Sequence, residues 1–246
     1  MKKLFFSFIC IGLILTISSC KEEVNQDSIS AEEATEMVAM ALSEDAMGAI
    51  GLVYSTVEVS SNAGDVPQKA KTATIVSKDT TITYSSFPKA LITYSLVAGF
   101  SYDFTLGNNG TPTSSVVEYS YNGNFDAPRL SSVHTGSGEL SISSLDSEIC
   151  TVNGTFMRSS DIETKGLNPK QSDSETSLIF NNIKVNKMNH VIASGSATAT
   201  ISGTLANKGD FEYSGTVIFE GNGMATLTFG NQSFSVNLET GEYVTL

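Results

Sequence analysis

Tryptophan is absent from this sequence, histidine occurs only twice, and 14 lysine and arginine residues face 26 acidic ones. Each shortage closes off a class of function. A formal net charge of −12 repels phosphate-rich polymers, which argues against nucleic acid as a partner. His134 and His190 stand far apart without clustered cysteines, so no zinc pattern exists, and the Asp and Asn residues are too scattered for a calcium loop. No metal and no cofactor is expected. No serine sits in a Gly-x-Ser-x-Gly elbow. Asp146 with Glu148, and Asp161 with Glu163, are spaced to share a strand face, but a chain this acidic produces such pairs as solvated faces. No catalytic residue is expected, and the chain is not read as an enzyme. Sugar sites favour aromatic platforms, and without Trp only Tyr94, Tyr102, Tyr119 and Tyr121 could supply one. Tyrosine is equally a strand former.

Long apolar runs are also scarce, and the longest comes first. Met1-Lys2-Lys3 precedes an apolar stretch from Leu4 to Ile17, too short to span a bilayer but suited to a secretory signal over residues 1–19. Ile17-Ser18-Ser19-Cys20 closes it. This quartet resembles the lipobox of bacterial lipoproteins: an aliphatic residue and two small ones for the peptidase, then the cysteine that is acylated. The resemblance implies cleavage before Cys20, lipid (palmitate among the chains) on that residue, and an outer-membrane anchor. Loss of Lys2 and Lys3 would leave 12 basic and 26 acidic residues, a net −14. Such a chain cannot hold an anionic lipid face by charge, so acyl chains must supply the attachment. Cys10 leaves with the signal and Cys20 carries lipid, so Cys150 has no disulfide partner and reads as a buried small hydrophobe. Lys21-Glu22-Glu23 resembles the surface-export signal of Bacteroidota lipoproteins, although there one residue separates the cysteine from the lysine. Asp27-Ser28-Ile29 and Asp79-Thr80-Thr81 resemble the O-glycosylation sites of that phylum, with Ser28 and Thr80 as acceptors.

Residues 20–29 are polar and read as a tether. One domain, 30–246, follows. Ser30-Ala31-Glu32-Glu33 has the form of a capping box, and apolar residues spaced by three and four from Ala34 to Val53 make one helical stripe, over about 30–53, that Gly48 and Gly51 can bend or end. A break at about 60–71 precedes a strand-and-turn text over about 72–246. Asn153-Gly154 between "ICTV" and "TFM" reads as a hairpin, as do Gly230-Asn231, Asn122-Gly123, Asn108-Asn109-Gly110, Asn207-Lys208-Gly209 and Glu220-Gly221-Asn222-Gly223. "GSGEL" reads as a turn entering a strand. In "VIASGSATATISGTL", residues 191–205, odd positions are apolar or small and most even ones are Ser or Thr. That period of two predicts a strand whose dry face lies under the helix. The expected fold is mainly β: a single antiparallel meander sheet, strongly curved or a half-open barrel, with one N-terminal amphipathic helix packed on it. "SSDIETKGLNPKQSDSE", residues 159–175, lacks periodicity and reads as a disordered loop. Arg129 and Arg158 read as ion-paired or solvated.

"DTTITYS", "FDAPR", "VNGTFMRS", "ASGSATATISGTL" and "GTVIFEGNGMATLTFGNQSFSVNLETG" together resemble a set of Bacteroidota lipoproteins of uncharacterised function. The resemblance implies a β-rich, secreted or anchored protein and no known activity. Three roles stay open: a non-enzymatic, lipid-anchored binding or structural protein with an extracellular or outer-membrane partner; a lipocalin-like or Lol-type carrier of an apolar ligand; and a glycan-binding or glycan-processing accessory protein.

Overall fold

The computed structural model describes residues 29–46, 48–61, 75–86, 93–126, 130–165, 171–206 and 208–246. The signal, lipobox, Lys21-Glu22-Glu23, Ser28 and Arg129 lie outside them. Capping sets the start of the first helix. Ser30 Oγ accepts from the Glu33 amide at 3.2 Å, and Glu33 Oε2 accepts from the Ser30 amide at 2.9 Å, each side chain satisfying the other's orphan donor. The helix α1 (Ala31–Leu42) then buries Ala34, Val38, Ala41 and Leu42 on one stripe.

That stripe does not continue as a single helix to residue 53. The backbone extends at Ser43, and the amides of Glu44 and Asp45 donate to the carbonyls of Leu238 and Glu239 at 2.8 and 2.9 Å. A second helix, α2 (Ala49–Ser61), begins after this excursion. Gly48 permits the reversal, because a Cβ there would stand 2.4 Å from the Ala41 carbonyl oxygen. Val53, Thr56, Val57 and Val59 give α2 a weak intrinsic preference for helix. Burial overrides it, with Leu52, Val53 and Thr56 fully enclosed. The predicted linker is therefore helical at its start, and its remainder lies outside the described residues.

The rest is one antiparallel sheet in strict sequence order: β1 (Ile75–Ser85), β2 (Thr93–Leu106), β3 (Pro112–Asp126), β4 (Leu130–Ser143), β5 (Ile149–Thr164), β6 (Gln171–Asn186), β7 (Val191–Leu205), β8 (Gly209–Gly221), β9 (Met224–Phe229), β10 (Gln232–Asn237) and β11 (Tyr243–Thr245). It is an open meander, not closed into a barrel. Its curvature shows in what α2 reaches. Ser55 Oγ meets the Tyr84 hydroxyl of β1 at 2.6 Å, while the Tyr54 ring stacks on His190, in the β6–β7 turn, at 6.3 Å. One helix thus touches widely separated strands because the sheet wraps around it.

Gly230-Asn231 does turn β9 into β10, with only Gly230 at positive φ, as a II′ turn requires, and Asn222-Gly223 turns β8 into β9 with both residues at positive φ. Asn108-Asn109-Gly110 likewise lies between β2 and β3, and Lys208 lies between β7 and β8, with Gly209 opening β8. Three predicted turns are instead strand interior. Asn122-Gly123 lies in β3 and "GSGEL" in β4. Asn153-Gly154 lies inside β5, beside a bulge in its neighbour. Asn182 of β6 takes φ 54, and its amide donates to Asn153 Oδ1 at 2.8 Å. Gly154 stands at φ 142, where a Cβ would approach the Glu139 carbonyl oxygen to 2.0 Å, so glycine is required by the tight β4–β5 contact and not by a hairpin.

The same irregularity moves β7 off its regular alternation. Ala197, Ala199 and Ile201 are buried, as the odd-position rule predicts, but nearer the strand start Ile192 is buried and Ala193 exposed. The β6–β7 register slips twice between Asn181 and Val185, which switches the inward parity.

Candidate functional site

Inward-facing residues change character along the strands. One row runs Phe100, Tyr119, Gly138, Phe156, Leu178 and Ala199 across β2 to β7 and is apolar core. The next runs Ala98, Tyr121, Gly136, Arg158, Thr176 and Ile201. The one after it places His134 opposite Ser160, and Ser160 opposite Ser174. Beyond that lie Phe125, Ser132, Ile162 and Ser172. Polar side chains therefore collect on the concave face at one end of the central strands.

Glycines make room for them. A Cβ on Gly136 would overlap the Tyr121 ring at 2.1 Å, and one on Gly123 would meet His134 Nε2 at 2.3 Å. Tyr119 leans over Gly138 and donates its hydroxyl to the Thr155 carbonyl at 3.0 Å. Tyr121 lies between Phe156 and His134, with ring centroids 6.0 and 6.1 Å away.

Here α1 stands away from the sheet and leaves a cavity of about 610 Å³, within the range of small-molecule sites, about 300–1,000 Å³. Met37, Met40 and Ala41 of α1, Leu96, Phe125 and Leu205 form its apolar walls. Ser132, His134, Arg158, Ser160, Ser174 and Thr176 form its polar floor. His134 is 4% exposed and Ser132 9%, and neither His134 Nδ1 nor Ser132 Oγ has a hydrogen-bond partner among the described residues. Buried polar groups are seldom left so. Burial, with the Arg158 charge nearby as a smaller cause, pushes the His134 pKa down to about 4, so the ring is neutral at neutral pH. Arg158 Nε donates to Ser160 Oγ at 3.3 Å. Both ion pairs among the described residues, Lys165 with Asp126 and Lys208 with Glu33, leave Arg158 without a carboxylate. Burial also lowers its pKa, opposed by Tyr121.

Several sequence expectations are corrected by this arrangement. Arg158 has no ion pair among the described residues and faces inward, half-buried, from mid-β5. Residues 159–175 are mostly strand, because β5 runs to Thr164 and β6 begins at Gln171. Their periodicity was hidden because the inward positions are themselves polar. Ser160, Ser174 and Thr176 keep the parity of Phe156 and Leu178, which is the one signal in the sequence that would have placed them. His134 shares the inner face of β4 with Ser132. Tyr102, Tyr119 and Tyr121 are buried, which removes them as an exposed sugar platform, whereas Tyr94 lines the cavity.

The acidic pairs do not converge. Asp146 and Glu148 sit in the β4–β5 turn instead of on a strand, and Asp161 and Glu163 are on the outer face of β5. Cys150 is enclosed, with its thiol directed at the Val185 carbonyl at 3.6 Å and its pKa raised by burial. Thr80 sits on edge strand β1, half-buried, on the face shared with Ile82 and Tyr84. Among the described residues no group of acids, histidines and cysteines is placed to hold a metal ion, and no helix is long and apolar enough to cross a membrane. No family model, curated protein or solved structure matches this chain.

Proposed function

We propose that this is a lipid-anchored protein of the bacterial outer membrane, of the Bacteroidota type, that binds a small amphipathic molecule between α1 and the sheet without chemically altering it. The observation that carries the binding reading is the cavity itself: apolar walls over a polar floor in which two enclosed groups, His134 Nδ1 and Ser132 Oγ, have no partner among the described residues. Closed cores avoid that combination, since each unmet buried polar group costs about 1–3 kcal/mol. A ligand that supplies the missing partners turns the cost into affinity. Catalysis would need a nucleophile hydrogen-bonded to its base, whereas neither Ser132 Oγ nor His134 Nδ1 has a hydrogen-bond partner among the described residues.

Ile17-Ser18-Ser19-Cys20 supports the anchor, and Lys21-Glu22-Glu23 supports display at the cell surface. Each acyl methylene buried in the bilayer contributes about 0.8 kcal/mol, so a multiply acylated Cys20 holds the protein there. Cys20→Ala is expected to move the protein out of the membrane fraction entirely; its retention in washed membranes would refute the anchor.

Ligand binding has its own test. Full-length protein extracted in mild detergent is expected to carry a small molecule visible by native mass spectrometry. Met37→Trp fills the cavity from the α1 side and is expected to lower occupancy roughly tenfold, equivalent to about 1.4 kcal/mol, while the thermal midpoint stays within a few degrees. Equal occupancy in the two proteins would defeat the reading.

A further inference from the structure

We propose that the molecule held in this cavity is a monocarboxylate with an apolar tail, its head group bound by Arg158 together with His134 and Ser132. This assignment rests on the cavity being a binding site. Four observations select the head group.

The guanidinium of Arg158 has no ion-pair partner among the described residues, and it lies half-buried on the concave face, lining the cavity. Its planar fork matches the two oxygens of a carboxylate. The count of positive charges also limits the guest. His134 is neutral at neutral pH, so the floor offers a single positive charge, which balances a carboxylate and not a phosphomonoester dianion. Two further groups lack partners at the same end: Ser132 Oγ can donate to an anion oxygen, and so can His134 Nδ1 in the tautomer that protonates it. Both residues are more than nine-tenths buried, so they form part of a built site, not a wet surface. Finally, the walls leading away from this floor are Met37, Met40, Leu96 and Phe125, a thioether-rich and aromatic lining that adapts to a flexible hydrocarbon chain.

Two carboxylates also border the cavity from α1. Glu33 is committed to Lys208, while Glu36 is not engaged by either ion pair. Glu36 repels an anion that enters head-first on the α1 side and favours the orientation with the carboxylate on the sheet floor.

The test uses the full-length lipoprotein in lipid nanodiscs, with isotopically carboxyl-labelled laurate followed by NMR. Protein-bound laurate is expected to give a carboxyl signal distinct from laurate dissolved in the bilayer, and to remain ionised to a lower pH. Methyl laurate, dodecyl phosphate and dodecylamine serve as competitors, and each is expected to displace laurate about tenfold to a hundredfold less effectively than unlabelled laurate. Arg158→Gln removes the charge and keeps a similar shape; it is expected to weaken laurate by the same factor while leaving methyl laurate binding unchanged. Its fold is checked by thermal unfolding, and loss of a half-buried cation that has no ion pair among the described residues should not lower the midpoint. If neither laurate nor its methyl ester binds the wild-type protein, the cavity reading itself falls. If both bind equally well and Arg158→Gln changes neither, binding stands and the carboxylate assignment is overturned. Preferential displacement by dodecylamine or dodecyl phosphate overturns it as well.

Discussion

Phe156→Ala is expected to destabilise the domain by about 3–5 kcal/mol, the cost of emptying a fully enclosed aromatic site. Phe156 is wholly buried, stacks on Tyr121 at 6.0 Å and 23°, and lies between Gly138 of β4 and Leu178 of β6. Gly138 on one side supplies no side chain of its own to fill the gap. The strands on both sides are tied into long ladders, so the backbone cannot close over it either. Against a total stability of about 5–15 kcal/mol the loss is large. Met157, the next residue, is 55% exposed on the outer face. Met157→Ala should change stability by only about 0.5 kcal/mol or less. Urea unfolding of both variants checks the pair, and equal losses would show that the inward row had been wrongly placed.

Acid is expected to cost about 3 kcal/mol of stability between neutral pH and pH 4 through His134 alone. Its pKa drops from the ordinary 6.5 to about 4 on folding, because burial disfavours the imidazolium and Arg158 repels it. A depressed folded-state pKa on a base means that the unfolded chain binds the proton first. The stability is therefore fully present above pH 6.5 and is lost as pH falls toward the folded value, at 1.36 kcal/mol per unit. The groups bordering the same space are Tyr121 of β3, Arg158 of β5, and Glu33 and Glu36 of α1. Glu33 has its pKa lowered, chiefly by Lys208, so its contribution is lost at lower pH than an ordinary glutamate's. His134→Gln isolates the imidazole. The wild-type minus variant difference in unfolding free energy should shrink by about 3 kcal/mol across that window, and a difference independent of pH would mean that the ring is not buried as described. If the carboxylate assignment holds, ligand release on acidification should accompany this loss, because protonating the guest removes the charge that Arg158 holds.

The cavity and the stability of the fold pull against each other. A half-buried guanidinium without a carboxylate and two unsatisfied polar groups weaken the domain, and a pocket of hydrophobic replacements would be more stable. Binding sites commonly keep such local costs. Elsewhere in the sheet the apolar row through Phe156 is continuous, although the buried hydroxyls of Tyr102 and Tyr121 also lack partners among the described residues, and the hydroxyls of Ser60 and Ser115, both enclosed, satisfy each other at 2.9 Å.

Local signals alone settled much of the architecture. Ser30 and Glu33 announced the helix start, because a capping box is complete within four residues. Gly230-Asn231 and Asn222-Gly223 announced their turns, since turn geometry depends only on the residues in it. The alternation of Ala197, Ala199 and Ile201 announced a strand with a dry face. Where glycine served a neighbouring strand instead of its own turn, local reading failed. Gly123 admits His134, Gly136 admits Tyr121, and Gly154 admits the Glu139 carbonyl, all across a ladder whose register no short window contains. The site was hidden for the same reason. Arg158, Ser160, Ser174 and Ser132 look like solvated polar residues until three strands align them on one concave face beneath α1. Chain chemistry determined which segments would extend or coil; only long-range pairing decided which polar residues would be shut away from water and left wanting a partner.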